Sequence, residues 1–462
     1  MVDLLIVGGT VVSLDNKKRR LKEGAISIEG NRITGVGKAT EFNKKNADRI
    51  IEARGGLILP GFIDTHTHLQ SSVTNLRGYG LEAPGGGLYK RLMVIRVDVP
   101  DQERYDLAMG GGLTSLRFGS TTIADWDFGE NMVARAVEDL GLRGLLSEYS
   151  YGIDFHKTRD AGHHIFSRDE EERTLELALK FVDEWHGRAE GRIKCSLGPH
   201  APDTCSPEFL SKVREEAERR SMMINIHLAQ TDDEIRYVKE LRGKTPTEYL
   251  RDEGILGERT FVAHCTRIDE EGIGILAKTK TNISICPHNY ARRGETTAMM
   301  KFIEAGCTVG LGTDGGPDMI RFMEAARMAV AFRNKLFREA YQSPSAQRVL
   351  ELATIDAAKV LGMEKEVGSL EVGKKADVII VDMKRPHLTP NVDPVANMVY
   401  YGNGNDVRTV VIDGKIVMED WEVKTIDEET ALERTQLAAE NAWTRFYPNS
   451  PKPDKHEHPG GI

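Results

Sequence analysis

The middle of the sequence, residues 59–364, alternates short apolar runs with amphipathic stretches. The runs are typical of buried strands, and the stretches between them, such as residues 208–220 and 231–242, have helical periodicity. Strand and helix alternating over this length are typical of a parallel sheet closed into a barrel. We therefore predict an α/β fold in which these residues form a TIM-like (β/α)8 barrel. The clearest apolar runs are Thr121-Thr-Ile-Ala-Asp, Met223-Ile-Asn-Ile-His, Thr260-Phe-Val-Ala-His, Asn282-Ile-Ser-Ile-Cys and Thr308-Val-Gly-Leu-Gly-Thr-Asp.

The two ends of the chain have a different pattern. Residues 3–53 contain short alternating strands separated by Gly and Asn, and the same pattern returns in residues 376–382 and 407–417. Such strands are typical of a small β domain, so we expect both ends to pair into one β-sandwich. The predicted domains are residues 1–58 with 365–425 for the β-sandwich, residues 59–364 for the barrel and residues 426–462 for a C-terminal helix and tail.

Composition narrows the range of functions. The chain has 462 residues, 29% of them charged and 40% hydrophobic, and a net charge of -9. This is the profile of a globular protein, and its acidic balance argues against a nucleic-acid partner. No apolar run is long enough to span a bilayer, and residues 1–14 lack the basic segment of a signal peptide. The five cysteines are scattered, so we expect a reducing cytoplasm and no disulfide framework.

Polar residues close several of the predicted barrel strands. His66 and His68 follow one strand with a single residue between them, which places both side chains on one face. Catalytic groups of such barrels come from the carboxyl ends of the strands, so these side chains are expected to meet. A lone histidine there is more often structural, but a set that uses five of the thirteen histidines is hard to explain as packing. The set is His66, His68, His200, His227, His264 and Asp314.

These residues lie in recognisable motifs. The motifs are Pro-Gly-Phe-Ile-Asp-Thr-His-Thr-His (60–68), Gly-Pro-His-Ala-Pro-Asp-Thr-Cys-Ser (198–206), Asn-Ile-His-Leu-Ala-Gln (225–230), Val-Ala-His-Cys (262–265), Cys-Pro-His-Asn (286–289) and Gly-Leu-Gly-Thr-Asp-Gly (310–315). With them the sequence resembles the amidohydrolase superfamily, in the branch of s-triazine hydrolases and cytosine- or adenosine-type deaminases. The resemblance covers nearly the whole chain.

The resemblance implies an enzyme with one divalent metal ion per subunit. It assigns His66, His68, His227 and Asp314 as metal ligands, His264 as the group that polarises the scissile bond or approaches the metal, and His200 as a substrate contact. Three imidazoles and one carboxylate leave a position for a water of lowered pKa, whose proton Asp314 can accept. Zinc is the default, and cobalt, iron or manganese also suit these ligands. Lys194 is the only candidate for the carboxylated lysine of binuclear members and is poorly placed, so we favour one metal.

Gln230 departs from the deaminase pattern. Deaminases of this branch carry a glutamate three residues after the histidine that corresponds to His227. A glutamate can carry a proton to a ring nitrogen and to departing ammonia, whereas an amide only donates or accepts hydrogen bonds. We therefore expect hydrolysis of a neutral amide, urea, carbamate or thiocarbamate bond. This is the activity of family members that degrade herbicides, such as molinate hydrolase and the phenylurea hydrolases.

Two alternatives stay open. An aminohydrolase or dechlorinase would act on a heteroaromatic ring such as an s-triazine, purine or pyrimidine, and release of ammonia or chloride would support it. A catalytically silent metal-binding scaffold is excluded if the metal-loaded protein turns over a substrate and the Asp314→Asn variant does not.

The residues expected to contact a small-molecule substrate are His200, Gln230 and His288. His288 replaces the family's serine, and a loop hydrogen bond would explain it equally well. Residues 76–97 and 149–167 are expected to line the pocket. The glycine-rich stretch 83–89 is predicted to cover it or to be an exposed linker. We expect no membrane partner and a homo-oligomer, which is common in this family.

Overall fold

A computed structural model describes residues 2–74, 93–316 and 318–446 of the chain. Of the segments predicted to surround the pocket, residues 149–167 are described. The glycine-rich stretch 83–89 and most of residues 76–97 lie outside the described residues. Within the described part, no helix is both long and apolar enough to cross a membrane.

Strands and helices alternate through the middle of the chain, and strands dominate its ends. The strands are Val2–Val12 (β1), Arg20–Glu29 (β2), Arg32–Lys38 (β3), Ala47–Glu52 (β4), Leu57–Pro60 (β5), Phe62–Thr67 (β6), Ser120–Asp127 (β7), Arg143–Ser150 (β8), Ile193–Cys195 (β9), Gly198–Pro199 (β10), Ile224–Leu228 (β11), Thr260–His264 (β12), Asn282–Ile285 (β13), Val309–Leu311 (β14), Val378–Val381 (β15), Val407–Ile412 (β16), Lys415–Glu419 (β17) and Glu422–Val423 (β18). The helices are Leu69–Thr74 (α1), Met93–Val97 (α2), Asp101–Arg117 (α3), Glu130–Leu140 (α4), Phe155–Ala161 (α5), Arg168–Trp185 (α6), Pro207–Arg220 (α7), Asp232–Arg242 (α8), Pro246–Asp252 (α9), Glu270–Thr279 (α10), Pro287–Ala291 (α11), Met299–Glu304 (α12), Met319–Phe337 (α13), Ala346–Leu352 (α14), Ile355–Val360 (α15), Pro394–Tyr401 (α16) and Glu428–Phe446 (α17).

The central strands form two arcs of parallel strands. The first has the order β10–β8–β7–β6, with β9 beside β8, and the second has the order β11–β12–β13–β14. Leu197 bridges to Ile224 in parallel register where the arcs meet on one side. On the other side, the backbone N–H of Thr313 after β14 donates to the carbonyl of His66 in β6 at 2.8 Å. The α/β class with parallel strands is thus confirmed, in an arrangement consistent with a TIM-like barrel.

Strands from the two chain ends share one mixed sheet. Its order is β18–β17–β16–β15–β5–β1–β2–β3, and β4 pairs with β1. β5 and β15 pair antiparallel, with Leu57 opposite Val381, and this pair joins the N-terminal strands to the C-terminal ones. The packing of this sheet as a β-sandwich stays a prediction, as do the domain limits at residues 1–58 with 365–425, 59–364 and 426–462.

The barrel strands are buried on both faces. Every residue of β7 and β8 is buried. A parallel strand between the barrel interior and a covering helix has no solvent-facing side, so the charged residues of these strands are buried along with the apolar ones. Helix α4 supplies such cover, since Val133, Val137 and Leu140 follow a helical spacing and all belong to the main core. This packing fixes the positions of the strand ends.

A buried arginine ties the barrel to the mixed sheet. Arg143 begins β8, and its Nε donates to Asp377 Oδ2 at 2.9 Å. Its Nη2 donates to Asp377 Oδ1 at 3.0 Å and to Asp413 Oδ1 at 3.1 Å. All three side chains are buried. The bidentate contact to Asp377 fixes the orientation of the two parts as well as their proximity.

Candidate metal centre

Five histidines converge at the carboxyl ends of the barrel strands. His66 lies in β6, and its ring centroid is 4.7 Å from that of His68, 5.1 Å from that of His227 and 4.9 Å from that of His264. The ring of His200, just after β10, is 5.2 Å from that of His227. All five side chains are buried. The structure therefore brings together every histidine that the sequence placed at a strand end.

Three of these rings and one carboxylate could hold a metal ion. Ligand atoms of His66, His68 and His227 all lie within 4.8 Å of one another. Asp314 follows β14, and its Oδ1 is 3.5 Å from Nε2 of His66 and 3.5 Å from Nε2 of His68. Imidazole nitrogen and carboxylate oxygen are the donors of catalytic zinc sites, which keep one position for water.

Backbone carbonyls fix the tautomers of two rings. Nδ1 of His68 lies 2.9 Å from the carbonyl oxygen of Trp126, and Nδ1 of His227 lies 2.7 Å from that of His200. A carbonyl only accepts, so each Nδ1 carries the proton and each Nε2 presents a lone pair. Nδ1 of His66 is buried without a hydrogen-bond partner in residues 2–74, 93–316 and 318–446. These rings fit a cation better than they fit a hydrogen-bonded core.

The electrostatics also favour a cation. Burial lowers the pKa of His68 and the pKa of His227 well below the usual 6.5, so both rings are neutral ligands. Burial raises the pKa of Asp314, but its interactions with His66, His264 and His68 outweigh this and hold that pKa well below the usual range. Asp314 is therefore a carboxylate at neutral pH.

Residues from three elements orient Asp314. Nδ2 of Asn289, in α11, donates to Asp314 Oδ2 at 3.1 Å and to the Asp314 carbonyl at 3.0 Å. The preceding Thr313 donates from Oγ1 to Asp64 Oδ2 at 2.5 Å and from its backbone N–H to Asp64 Oδ1 at 2.9 Å. Asp64 lies in β6, two residues before His66. The loop that carries the carboxylate is thus tied to the strand that carries two histidines.

A tyrosine hydroxyl contacts His264. Nδ1 of His264 lies 3.2 Å from the hydroxyl of Tyr290. Nε2 of His264 is buried and has no hydrogen-bond partner among the residues described. Burial lowers the pKa of His264 to about 3. A neutral ring with an unpartnered nitrogen is therefore available to a substrate atom or an ion.

Three residues were predicted to contact the substrate, and the structure places one of them within the cluster of five histidines. His200 belongs to it, and its Nδ1 lies 3.0 Å from Thr204 Oγ1. Gln230 and His288 are half-buried, and within the described chain no hydrogen bond or ring contact joins either side chain to the five histidines. The Gln230 backbone N–H donates to Glu234 at 2.7 Å, and the His288 ring packs 5.0 Å from Phe322. Their contact with substrate stays a prediction.

Sequence reasoning missed several supporting residues. The Trp126 ring lies 4.2 Å from the His66 ring, and the Tyr149 ring lies 5.1 Å from the His200 ring. Asn289 and Tyr290 orient Asp314 and His264. Asn289 and Tyr290 directly follow the Cys-Pro-His segment, and Trp126 and Tyr149 are large aromatics at the ends of buried strands. A position directly after a motif or at the end of a buried strand is the sequence signal that could have indicated these residues.

Lys194 is not part of the cluster. Its Nζ donates to Glu366 Oε1 at 2.8 Å, and its side chain is one-third exposed. Lys194 is thus engaged in an ion pair away from the five histidines.

The chain belongs to the amidohydrolase family, whose family model matches residues 57–417. It is therefore an enzyme of the hydrolase class, within a superfamily of metal-dependent hydrolases.

Two relatives match over almost their whole length. The 5'-deoxyadenosine deaminase of Methanosarcina acetivorans is 36% identical over 449 residues, covering 96% of this chain and 99% of that protein. The 5-methylthioadenosine/S-adenosylhomocysteine deaminase of Moorella thermoacetica is 36% identical over 436 residues, covering 93% and 97%. The expected likeness to molinate and phenylurea hydrolases finds no support in these relatives.

Solved structures share the fold. Atrazine chlorohydrolase from Arthrobacter aurescens TC1, in complex with zinc, superposes with a TM-score of 0.81 at 23% identity, covering 94% of this chain and 100% of that one. An adenosine deaminase from Xanthomonas campestris with bound zinc has a TM-score of 0.83 at 23% identity, covering 96% and 99%. At this identity the likeness establishes the architecture alone.

Proposed function

We propose that the chain is a metal-dependent aminohydrolase that releases ammonia from the purine ring of a 5'-substituted adenosine. The observation that carries this proposal is the 36% identity to a 5'-deoxyadenosine deaminase over 96% of the chain. The donor cluster at the strand ends is the site where such a reaction would occur. The aminohydrolase, which the sequence left as the alternative, replaces amide or urea cleavage as the favoured activity.

In this proposal His66, His68, His227 and Asp314 hold one divalent ion, with zinc as the first choice and cobalt, iron or manganese as substitutes. The fixed Nδ1–H groups of His68 and His227 support it, as does the approach of Asp314 Oδ1 to within 3.5 Å of Nε2 of His66 and of His68. When bound, the ion supplies charge stabilisation and an acidified water.

The chain's own groups would then move one proton and orient the ring. Asp314 accepts the proton of the attacking water and returns it to the departing ammonia as the carbon–nitrogen bond breaks. His264 Nε2 is the unpartnered ring atom that contacts the reacting group. His200 and His288 contact the substrate, and the Gln230 amide can bind a ring nitrogen by a hydrogen bond but cannot protonate it.

Gln230 also favours a second candidate, the hydrolysis of an amide, urea, carbamate or thiocarbamate. An acyl substrate needs a polarised carbonyl and a leaving group, and neither requires protonation of a ring nitrogen. This candidate predicts turnover of acyl compounds without ammonia release from adenosines.

One assay separates the two candidates. Zinc-loaded protein is incubated with 5'-deoxyadenosine, 5'-methylthioadenosine and S-adenosylhomocysteine, and in parallel with a panel of ureas, carbamates and thiocarbamates. We expect ammonia and an inosine-type absorbance change from the adenosines, and no reaction with the Asp314→Asn variant. Turnover confined to the acyl panel would overturn the aminohydrolase and support the second candidate. A homo-oligomer stays a prediction that light scattering can check.

A further inference from the structure

A second group of metal-binding atoms lies beside the first. Ligand atoms of His66, His264 and Cys286 are all within 4.8 Å of one another. Cys286 immediately follows β13, and His264 ends β12. The three side chains are 0%, 1% and 0% exposed. Neighbouring barrel strands therefore deliver a thiol and an imidazole to positions beside His66.

The hydrogen bonds around Tyr290 prepare His264 as a ligand. The Tyr290 hydroxyl donates to the carbonyl of His264 at 3.2 Å and accepts from the backbone N–H of Cys286 at 3.1 Å. Because its one proton is used there, the hydroxyl accepts from His264 Nδ1, 3.2 Å away. Nδ1 then carries the ring proton, and the buried Nε2 presents a lone pair with no hydrogen-bond partner among the described residues.

His66 can serve this group as well as the first. Its Nε2 lies 3.5 Å from Asp314 Oδ1, on the side of His68. Its Nδ1 is buried and makes no hydrogen bond within the described ranges. A neutral imidazole has one proton and one lone pair, so His66 binds an ion in both groups at once only as a bridging imidazolate that has lost its ring proton.

We propose that His66, His264 and Cys286 form a second cation subsite, selective for a thiophilic ion such as Cd²⁺ or Zn²⁺ in excess. Sulfur and imidazole donors select soft and borderline ions over Mg²⁺ or Mn²⁺. Binding forms a metal–sulfur bond and displaces the thiol proton to solvent, and when the first group also holds an ion the His66 ring proton is displaced to solvent with it.

The test uses the full-length protein stripped of metal and titrated with Cd²⁺. We expect a sulfur-to-cadmium charge-transfer absorption in the wild type, and its loss in Cys286→Ser. Cys265→Ser is the matched control, because Cys265 is equally buried and adjacent to His264 but lies outside the donor group. No charge-transfer band in the wild type, or an equal band in Cys286→Ser, would overturn the proposal.

A measurement without variants guards against a substitution that prevents folding. X-ray absorption of the Cd²⁺-loaded wild type should detect one sulfur and nitrogen neighbours around the ion. A shell of oxygen and nitrogen alone would contradict the subsite.

One consequence rests on the proposed function. Because an ion in this subsite occupies His264 Nε2, excess Zn²⁺ should inhibit turnover of the adenosine substrate severalfold in the wild type. Inhibition should be relieved in Cys286→Ser, with each protein compared to its own rate at one equivalent of Zn²⁺. If no adenosine reacts, the proposed function fails, yet the charge-transfer band still decides the subsite.

Discussion

Gln230 is the residue whose chemistry bears most on the reaction. It lies three residues after His227, and its backbone N–H is held by the carboxylate of Glu234 at 2.7 Å. Glu234 is itself buried and also accepts from the Ala229 N–H at 2.7 Å. This carboxylate is thus engaged with the backbone of the loop after β11. It fixes the position from which the Gln230 side chain extends.

Replacing Gln230 by glutamate tests how the enzyme handles the proton. A carboxylate at this place can carry a proton to a ring nitrogen, and general acid–base catalysis contributes about 10²–10⁴-fold. We expect Gln230→Glu to raise kcat/KM for a 5'-substituted adenosine by about 10²-fold, as measured by ammonia release. Gln230→Met, which keeps the length but removes the amide, should raise KM without this gain. An unchanged adenosine rate in Gln230→Glu would argue that ring protonation is not limiting.

Asn289 tests the orientation of Asp314. Its amide donates to both the side chain and the carbonyl of Asp314. Losing a hydrogen bond to a charged group costs about 1.5 kcal/mol, which is about tenfold in rate. We expect Asn289→Ala to lower kcat about tenfold with little change in KM or zinc content. Asn334→Ala removes a similar amide, bonded to Tyr341 at 2.7 Å, and should leave kcat unchanged.

At the scale of elements, the sequence predicted which strands carry the polar residues. Apolar residues dominate β11 and β12, so the histidine that follows them marks the end of each strand to within one residue. Residues 260–264 were predicted as a strand that ends in a histidine, and β12 is Thr260–His264. The partners that orient these groups could not be predicted in this way. Tyr290 and Asn289 reach the site from a short helix whose direction depends on tertiary packing.

Arg143 gives a stability prediction for the junction between elements. It contacts two buried carboxylates: Asp377, which directly precedes β15, and Asp413, which directly follows β16. Removing Arg143 leaves the buried Asp377 without its bidentate partner, whereas Asp413 keeps its ion pair with Lys375 at 3.0 Å. A buried charge without its partner costs about 3–5 kcal/mol. We expect Arg143→Met to lower the free energy of unfolding by about 3 kcal/mol in urea titration.

A surface pair provides the control for this effect. Lys280 and Glu258 form an ion pair whose side chains are 73% and 68% exposed. Exposed pairs contribute little because solvent screens them. Lys280→Met should leave the unfolding midpoint unchanged, and an equal shift in both variants would contradict the role given to Arg143.

At the scale of the whole molecule, a single residue and the full chain point to different substrates. Gln230 alone favoured an acyl substrate, because an amide cannot protonate a ring. Similarity to adenosine-type deaminases instead extends over 96% of the chain. One side chain governs a proton route, whereas the shape of the pocket depends on many loops that no local motif describes. The motifs therefore predicted the set of strand-end residues, but they could not predict the substrate.

Zinc should stabilise the folded chain, and this should persist in mild acid. Burial holds the pKa of His68 and of His227 well below 6.5, so in the folded state protons displace the metal only as the pH approaches those lowered values. At pH 6 the folded rings stay neutral, whereas exposed imidazoles of the unfolded chain are mostly protonated. Free zinc at about 100 times its Kd should raise the free energy of unfolding by about 2.7 kcal/mol, seen as a higher thermal midpoint at both pH 8 and pH 6.

Two histidine variants provide the test and its control. His68→Asn should lose most of this rise in the thermal midpoint, whereas His156→Asn, at an exposed histidine, should keep it. A rise that vanishes at pH 6 in the wild type would mean that the ligands titrate like exposed imidazoles, contrary to a buried metal centre.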